Sequence, residues 1–337
     1  MASEPIILDG GNIVHEPRHT RASLLQYQSL SLDAKVRLSI LRIRAWYEHW
    51  QGQVYVSVSG GLDSTVLAHL VRSVYPDVPL VFFDTGLEYP ENRRQCQEMG
   101  AEFIRPKRTF QEVIERCGYP VVSKRISQSV GEVQSAIRRG LPDAPLIQIR
   151  LTGYSRAGKY NKASKIPAKW MFLLDAPFKI SHRCCHHLKR NPAAQAQKGG
   201  ARPFLGVRVD ESDIRLQAWY TYGCNTFEGN NPRSMPLSFW SDADVWAYIR
   251  ANNVRYSALY DMGYKRSGCM FCMFGCHLEG LPNRFQRMKE THPKQWAFCM
   301  DKLGLRRVLD YIKVPYDDGP LMRQAQGRLM KAQEKLC

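Results

Sequence analysis

Residues Val54 to Val66 read VYVSVSGGLDSTV. A short β-branched run leads into Ser59-Gly60-Gly61-Leu62-Asp63-Ser64, and an apolar helical stretch follows. That order describes a phosphate-binding turn between a buried strand and a helix. Gly60 and Gly61 admit backbone angles closed to other residues and let main-chain N–H groups approach an anion. The helix that follows points its N-terminus at the same spot, where unpaired N–H groups and the helix dipole favour phosphate. Ser59 and Ser64 add hydroxyl donors. Asp63 is the odd member, because a carboxylate beside phosphates makes sense mainly when Mg²⁺ bridges them. An ordinary glycine-rich βα turn accounts for a bare Ser-Gly-Gly, whereas the full S-G-G-x-D-S string asks for a nucleotide. The string is neither the Walker loop, which needs Gly-Lys-Ser/Thr, nor the dinucleotide G-x-G-x-x-G.

Outward from this turn, periodicity organises the chain. Ser31 to Trp50 reads as an amphipathic helix with Ser31 as N-cap and Leu32, Val36, Ile40, Ile43, Trp46 and Trp50 on one side. Strands at about Val54–Val58 and Leu80–Asp84 flank a helix from Thr65 to about Tyr75, a βαβ unit typical of parallel sheets. Ala101–Ile104 and Phe204–Val209 read as further buried strands. Ligands of such doubly wound sheets sit beyond the carboxyl ends of the strands, where both SGGLDS and Asp84-Thr85-Gly86 fall. The expected organisation is an N-terminal segment and helix (1–50), a nucleotide-binding α/β core (51–235) with a basic insertion (151–202), and a helical, Cys-containing C-terminal subdomain (236–337). A chain of 337 residues is long enough for a sizeable core.

The cysteines form a second chemical feature. Cys184 and Cys185 lie in SHRCCHHLKR, Cys269-x-x-Cys272 follows about eighty positions later, and Cys276 and His277 stand just beyond. A C-x-x-C turn places two thiolates on one metal edge, and a remote pair completes four ligands. Zinc takes four such sulfurs, and so does a [4Fe–4S] cluster. The vicinal pair fits the cluster better, since two adjacent sulfurs reach different irons but strain around one small ion. The expected ligands are Cys184, Cys185, Cys269 and Cys272, with Cys276 in reserve, zinc as the alternative metal and four buried apolar thiols as the plain reading. Cys96, Cys117, Cys224 and Cys299 have no partner spacing and read as core thiols. Lys189, one helical turn past the cysteine pair, reaches a substrate's phosphates if a helix follows Cys185.

Charge is unevenly placed. The formal net charge is +17, and residues 151–202 carry eleven Lys/Arg against Asp175 alone, with Tyr154, Tyr160 and Trp170 interleaved. A charge run is usually a solvated face, but one this asymmetric favours a polyanion, either nucleotide phosphates or a nucleic-acid backbone. No apolar run approaches bilayer length, and MASEPIILDGG lacks the basic start and apolar core of a signal peptide. The expectation is a cytoplasmic protein with no membrane partner, working alone, as a homodimer or in a complex.

The SGGLDS string resembles the PP-loop of the adenine nucleotide α-hydrolase superfamily. Val81–Glu91, VFFDTGLEYPE, resembles the second-strand segment of phosphoadenosine phosphosulfate (PAPS) reductase-like, or CysH-like, proteins. Gly206–Arg215 (GVRVDESDIR), Pro236–Ile249 (PLSFWSDADVWAYI) and Leu259–Cys272 (LYDMGYKRSGCMFC) are similar to the same family, so the likeness runs from about Leu30 to Tyr316. It implies a HUP-like parallel α/β fold that binds ATP, PAPS or adenylyl sulfate (APS). Ser59, Gly60, Gly61, Asp63 and Ser64 would hold phosphates, with Mg²⁺ on Asp63, and Asp84, Thr85 and Gly86 would line the adenosine side. Arg208 and Arg215 would bring charge to the α-phosphate or a sulfate, so the candidate catalytic set is Asp63, Ser64, Arg208 and Arg215. The CC…CxxC layout resembles the cluster-binding set of adenylyl-sulfate reductases.

Two departures bear on the reaction. True PAPS reductases carry a catalytic cysteine in a Glu-Cys-Gly-(Leu/Ile)-His motif, and this sequence has only Cys337 in QEKLC. Asp63 and Ser64 also complete the SGGxDS form of the superfamily's ATP pyrophosphatases. The expected function is therefore an ATP-dependent, Fe–S-containing activating enzyme for sulfur transfer that releases AMP and pyrophosphate. Two alternatives stand beside it: a genuine APS/PAPS reductase releasing sulfite, and a CysH-like accessory module that binds nucleic acid or a partner complex. Within the family the chain most resembles the CysH-like proteins of phages and plasmids, some of which accompany DNA phosphorothioation or CRISPR systems.

Overall fold

The computed structural model describes residues 6–8, 12–14 and 19–319. A strand pair opens the chain, β1 (Ile6–Leu8) antiparallel to β2 (Asn12–Val14). Helices α1 (Arg21–Ser29) and α2 (Leu32–His49) lead to β3 (Val54–Val58), α3 (Leu62–Val74), β4 (Leu80–Phe83), α4 (Pro90–Glu98) and β5 (Glu102–Ile104). Next come α5 (Phe110–Cys117), β6 (Val121–Val122), α6 (Lys124–Arg138) and α7 (Pro145–Thr152). Short 3₁₀ turns and a π-helical turn at His186–Arg190 precede α8 (Asn191–Ala196) and β7 (Arg202–Leu205). After α9 (Asp213–Tyr222), β8 (Asn225–Thr226), β9 (Arg233–Ser234) and α10 (Asp242–Ala251), the chain passes through β10 (Met273–Phe274) to α11 (Arg284–Thr291), α12 (Pro293–Ala297) and α13 (Leu305–Tyr311).

Two compact units result, interleaved in sequence. The sheet unit comprises the chain up to Asp84, Tyr89–Arg105 and Pro192–Ser267; the cysteine unit comprises Thr85–Glu88, Pro106–Asn191 and the chain from Gly268.

The sheet unit is a mixed α/β fold around six strands in the order β5-β4-β3-β7-β9-β8. All neighbours pair in parallel except the edge strand β8, which runs antiparallel to β9. β3 lies in the middle, and its VYVSV sequence is buried along almost its whole length, as a two-faced parallel strand requires. The chain winds from β3 through β4 to β5 on one side and places β7 on the other. The order thus reverses between β3 and β7, and a crevice at the carboxyl ends of those two strands follows from that topology. Ile43 and Trp46 of α2, fully buried, pack with Leu67 and Val71 of α3 and with Phe204 of β7 in one core cluster. Side chains of that size contribute about 1.5–3 kcal/mol each when fully buried.

The α2 stripe carries two polar interruptions. Lys35 is 3% exposed and its Nζ lies 2.7 Å from Asp244 Oδ2, while the Ser39 hydroxyl donates to the Pro236 carbonyl and accepts from Trp240 Nε1. Ser31 caps α2 by accepting from the Ala34 N–H, and Ser241 and Asp244 cap α10 reciprocally. Helix α3 begins at Leu62, three residues before the sequence expectation, because the whole LDST turn joins the helix. β7 stops at Leu205, short of the expected Val209, because the chain turns out of the sheet at Gly206.

The cysteine unit is mostly helical, and one extended segment serves as its rail. The Tyr119 N–H donates to the Lys179 carbonyl, and the Ser181 N–H donates to the Tyr119 carbonyl. Two residues further, β6 pairs in parallel with β10, Val121 opposite Met273 and Val122 opposite Phe274. Segments far apart in sequence are thereby seated on neighbouring positions of residues 119–122.

Candidate functional site

In the sheet unit the SGGLDS turn connects β3 to α3. Gly60 has φ +71°, and a Cβ there would meet the Asn92 carbonyl oxygen at 2.5 Å. Only glycine fits, on both counts. The Ser64 hydroxyl donates to the Gly61 carbonyl and accepts from the Ser59 N–H at 3.1 Å, with the Ser59 hydroxyl 3.2 Å away. These bonds close the turn on itself and leave it at the head of α3, where a helix exposes its first N–H groups. One of them, on Leu62, donates to the Tyr260 hydroxyl at 3.1 Å. Tyr260 was not singled out as a site residue from the sequence, although it lies in the quoted LYDMGY stretch.

Arg208, two residues after Gly206, comes over the same turn. Its Nε donates to Asp63 Oδ1 at 2.8 Å, and its Nη2 pairs with Asp242. A Cβ on Gly206 would stand 2.7 Å from the Ser64 backbone nitrogen, so glycine is what lets the strand β7 exit lie against the turn. Burial pushes the Asp63 carboxyl above its ordinary range, and Arg208 opposes that shift without cancelling it. Arg215 of α9 is paired with Glu211 in the turn before that helix, and Glu211 in turn accepts from the Arg208 N–H at 3.0 Å. The structure therefore brings Ser59, Gly60, Gly61, Asp63, Ser64 and Arg208 together, with Arg215 linked to them through Glu211. Asp84, at the end of β4, is 4% exposed and pairs with Arg93 at 3.2 Å and Arg105 at 3.6 Å.

Thr85 and Gly86 belong to the cysteine unit. The Thr85 hydroxyl donates to Glu88 at 2.8 Å and its N–H donates to the same carboxylate at 3.0 Å; Gly86 turns the chain with φ +77°. Glu88 then lies 3.5 Å from Lys189 Nζ. Sequence reasoning missed Glu88, whose signal was its place in the DTGLE string.

The two cysteine pairs meet in this unit. Cys184 and Cys185, carried by the segment hung on Tyr119, have their Sγ atoms 4.0 Å apart. Cys269 and Cys272, carried by the turn before β10, face them closely enough for each pair to influence the other's ionisation. Cys184 donates its S–H to Cys185, which holds the Cys185 thiol below its usual range, and Lys124, Lys189 and Arg190 act in the same direction. Burial pushes Cys269 up to about 11 despite the opposing Lys189. Cys269, followed by Glu88, holds the Lys189 ammonium above its usual range. Cys276, also buried, faces Arg284, Glu279 and Cys272.

Among the described residues no three His, Cys, Asp or Glu side chains converge tightly enough for a single metal ion. A cubane cluster binds its thiolates on four separate corners and so takes a wider sulfur set than one tetrahedral zinc. Four thiols with Lys124, Lys189 and Arg190 acting on them are donors of the chemistry that such an anionic group takes. Of the unassigned cysteines, Cys96 and Cys299 are fully buried, whereas Cys117 Sγ lies 3.7 Å from His187 Nε2. Cys337 lies outside the described residues. No helix among the described residues is long and apolar enough to cross a membrane.

Comparison with known proteins gives a consistent family. The profile of the phosphoadenosine phosphosulfate reductase domain matches residues 53–119 and 147–274, more than half of the chain. The adenosine 5′-phosphosulfate reductase of Staphylococcus haemolyticus is 24% identical over 245 residues, covering 72% of this chain and 80% of that one. That of Anoxybacillus flavithermus is 23% identical over 264 residues, 76% of this chain and 91% of its own. An uncharacterised protein of Methanocaldococcus jannaschii is 25% identical over 281 residues, and there the match spans only 53% of the longer relative. Among solved structures, phosphoadenylyl-sulfate reductase from Candida auris in a phosphate complex aligns with a TM-score of 0.40 at 18% identity, over 74% of this chain and 96% of that one.

Proposed function

This chain belongs to the phosphoadenosine phosphosulfate reductase domain family, and from that premise we propose that it is an adenylyl-sulfate-type enzyme holding a [4Fe–4S] cluster on Cys184, Cys185, Cys269 and Cys272. The observation that carries this reading is the meeting of those four thiols beside Lys189, in the layout that resembles the cluster set of adenylyl-sulfate reductases. The names of the curated relatives favour reduction over the ATP activation expected from the sequence.

The chain's own residues have distinct tasks in that reaction. Gly60, Gly61 and the head of α3 receive the substrate's α-phosphate, with Ser59 as a hydroxyl donor and Ser64 holding the turn closed. Arg208 steadies the negative charge that collects on AMP as it leaves. A cysteine thiolate attacks the sulfate sulfur, the bond from that sulfur to the phosphate-bridging oxygen breaks, and AMP departs with the electron pair. A dithiol carrier then reduces the resulting S-sulfocysteine, giving sulfite, the free thiol and the carrier's disulfide. Lys189 and Glu88 fix the charge balance around the four thiols, where a bound cluster supplies a polarising anionic centre without itself changing redox state.

One observation favours a second reading, activation at the α-phosphate of ATP. Asp63 completes the SGGxDS string and stands in the turn as a half-buried carboxylate, a group that Mg²⁺–ATP uses and a substrate without pyrophosphate does not. Anaerobically purified protein, given thioredoxin, should release sulfite with AMP from adenylyl sulfate, or sulfite with adenosine 3′,5′-bisphosphate from PAPS. Cys337→Ser tests whether that residue is the attacking thiol. If sulfite never forms while ATP is cleaved to AMP and pyrophosphate in the presence of an acceptor, the second reading replaces the first.

A further inference from the structure

We propose that the cysteine unit carries a binding surface for single-stranded nucleic acid, running from an arginine-lined groove along α6 to the tyrosine-tipped hairpin after α7. Between positions 106 and 191 the sequence holds seventeen Lys/Arg and five Asp/Glu, so this unit accounts for most of the chain's positive excess.

The charge is gathered into a shaped surface. A groove of about 500 Å³ lies between α5, α6 and residues 180–183, with Arg116, Arg138, Arg139 and Arg183 on its walls. Gly131 makes that geometry: a Cβ there would meet the Ile180 carbonyl oxygen at 2.3 Å, so the 180–183 strand of chain lies directly against α6 only because the side chain is missing. The groove's one carboxylate, Glu132, is already engaged by Arg150 at 2.7 Å. Among the described residues the four arginines of the walls form no ion pair. A second cavity of about 420 Å³ shares Arg138 with the first and adds Lys179 and Arg307 against one carboxylate, Glu115. Two adjoining cationic hollows suit a chain of phosphates rather than one anion.

Helix α7 runs from this groove, where Leu146 lines it, to the hairpin about 12 Å further on at 1.5 Å per residue. There Tyr154 and Tyr160 form an antiparallel bridge closed by the Ser155 N–H to the Lys159 carbonyl at 3.0 Å. Their ring centroids lie 5.0 Å apart, and the two residues are 49% and 50% exposed. Arg156, Lys159 and Lys162 flank them. Exposed aromatic rings among cations offer stacking faces that paired bases do not use, which selects a single strand over a duplex. This surface stands independently of which nucleotide reaction the enzyme performs.

The test is fluorescence anisotropy of the full chain with a labelled oligothymidylate of about 20 nucleotides, between about 50 and 200 mM salt. Wild type should bind with a steep salt dependence. Arg116→Ala/Arg138→Ala/Arg139→Ala should flatten the slope of log K against log salt by about two, at ~0.7 per phosphate contact. Tyr154→Ala/Tyr160→Ala should weaken binding about tenfold with the slope unchanged. Arg37→Ala/Arg44→Ala on α2 should change neither. The proposal is overturned if wild type does not bind at the lowest salt, if the arginine and tyrosine variants both bind as wild type does, or if the α2 variant loses as much. It is equally overturned if phosphatidylserine vesicles capture the protein and the oligonucleotide does not.

Discussion

Arg208 Nε lies 2.8 Å from the Asp63 carboxylate, which fastens the exit of β7 to the head of α3. The guanidinium also reaches Asp242, so a single side chain serves two carboxylates. Arg208→Ala should therefore leave Asp63 half-buried without a counter-charge, at about 1–3 kcal/mol of stability, and weaken nucleotide binding as well. Arg208→Lys should restore part of the stability but little of the binding, because an ammonium lacks the planar fork that spans two oxygens in different directions. Thermal melting and calorimetric titration with adenylyl sulfate and ATP separate the two effects. Full binding in Arg208→Ala would remove this residue from the site.

Gly206 gives a sharper steric prediction. Its Cβ position is 2.7 Å from Ser64 N and 2.8 Å from the Asp63 carbonyl carbon, both backbone atoms. Gly206→Ala must push the turn away from β7, with a cost of about 1–3 kcal/mol and at least a tenfold loss of nucleotide affinity. An alanine variant that binds and melts like wild type would mean that the turn is free to move.

Lys35 and Asp244 tie α2 to the cap of α10, and their effect depends on pH. Burial raises the Asp244 carboxyl, but Lys35 and the Ser241 donors outweigh it, so the folded-state pKa lies below the ordinary value. A carboxyl depressed in this way stabilises the fold above its unfolded pKa of about 3.9, and that contribution is lost as pH falls through the lower folded value. Lys35→Met should lower the melting temperature at pH 7 and flatten the acid limb below about pH 4. Melting curves at stepped pH check both; an unchanged acid limb would show that Asp244 is held down by its cap alone.

The parallel core was readable because its signals are local. VYVSV is a β-branched run buried along almost its whole length, SGGLDS has the glycines where the chain must turn, and Ser31 and Ser241 precede the helices they cap. Lys35 and Ser39 were not readable, since a polar residue on an apolar stripe reveals nothing of a partner two hundred residues away. The interleaving of the two units escaped for the same reason: Thr85–Glu88 leaves the sheet unit in the middle of a string that reads as one motif. The cysteine pairs could be matched by residue type and layout, but the rail that joins them, residues 119–122, has no pattern of its own. Glu88 was hidden as an ordinary acidic residue until Thr85 and Lys189 were seen on either side of it.

The thiol set predicts a metal inventory. Anaerobic protein should be brown and contain about four iron and four sulfide per chain. Serine at Cys184, Cys185, Cys269 or Cys272 should abolish or sharply reduce the iron, while Cys276→Ser and Cys117→Ser should retain it. Iron analysis and visible absorption read the outcome directly. Colourless protein with one zinc per chain would replace the cluster with a structural ion, and iron lost from Cys276→Ser but kept in Cys184→Ser would move the fourth ligand.

Asp63 separates the two reactions that the family fold can host. Burial raises its carboxyl, and Arg208 only partly offsets that. Mg²⁺ carried in on ATP would supply further positive charge, and adenylyl sulfate needs no metal bridge to a pyrophosphate it does not have. Asp63→Asn keeps the shape of the side chain and one oxygen to accept from Arg208 while removing its charge. In a reductase this variant should bind adenylyl sulfate and release sulfite within a few-fold of wild type, with no response to Mg²⁺ or to EDTA. In an ATP-activating enzyme it should lose Mg²⁺-dependent ATP binding and pyrophosphate release altogether. Paired titrations with each nucleotide, with and without Mg²⁺, decide between them, because no single result satisfies both roles of the carboxylate.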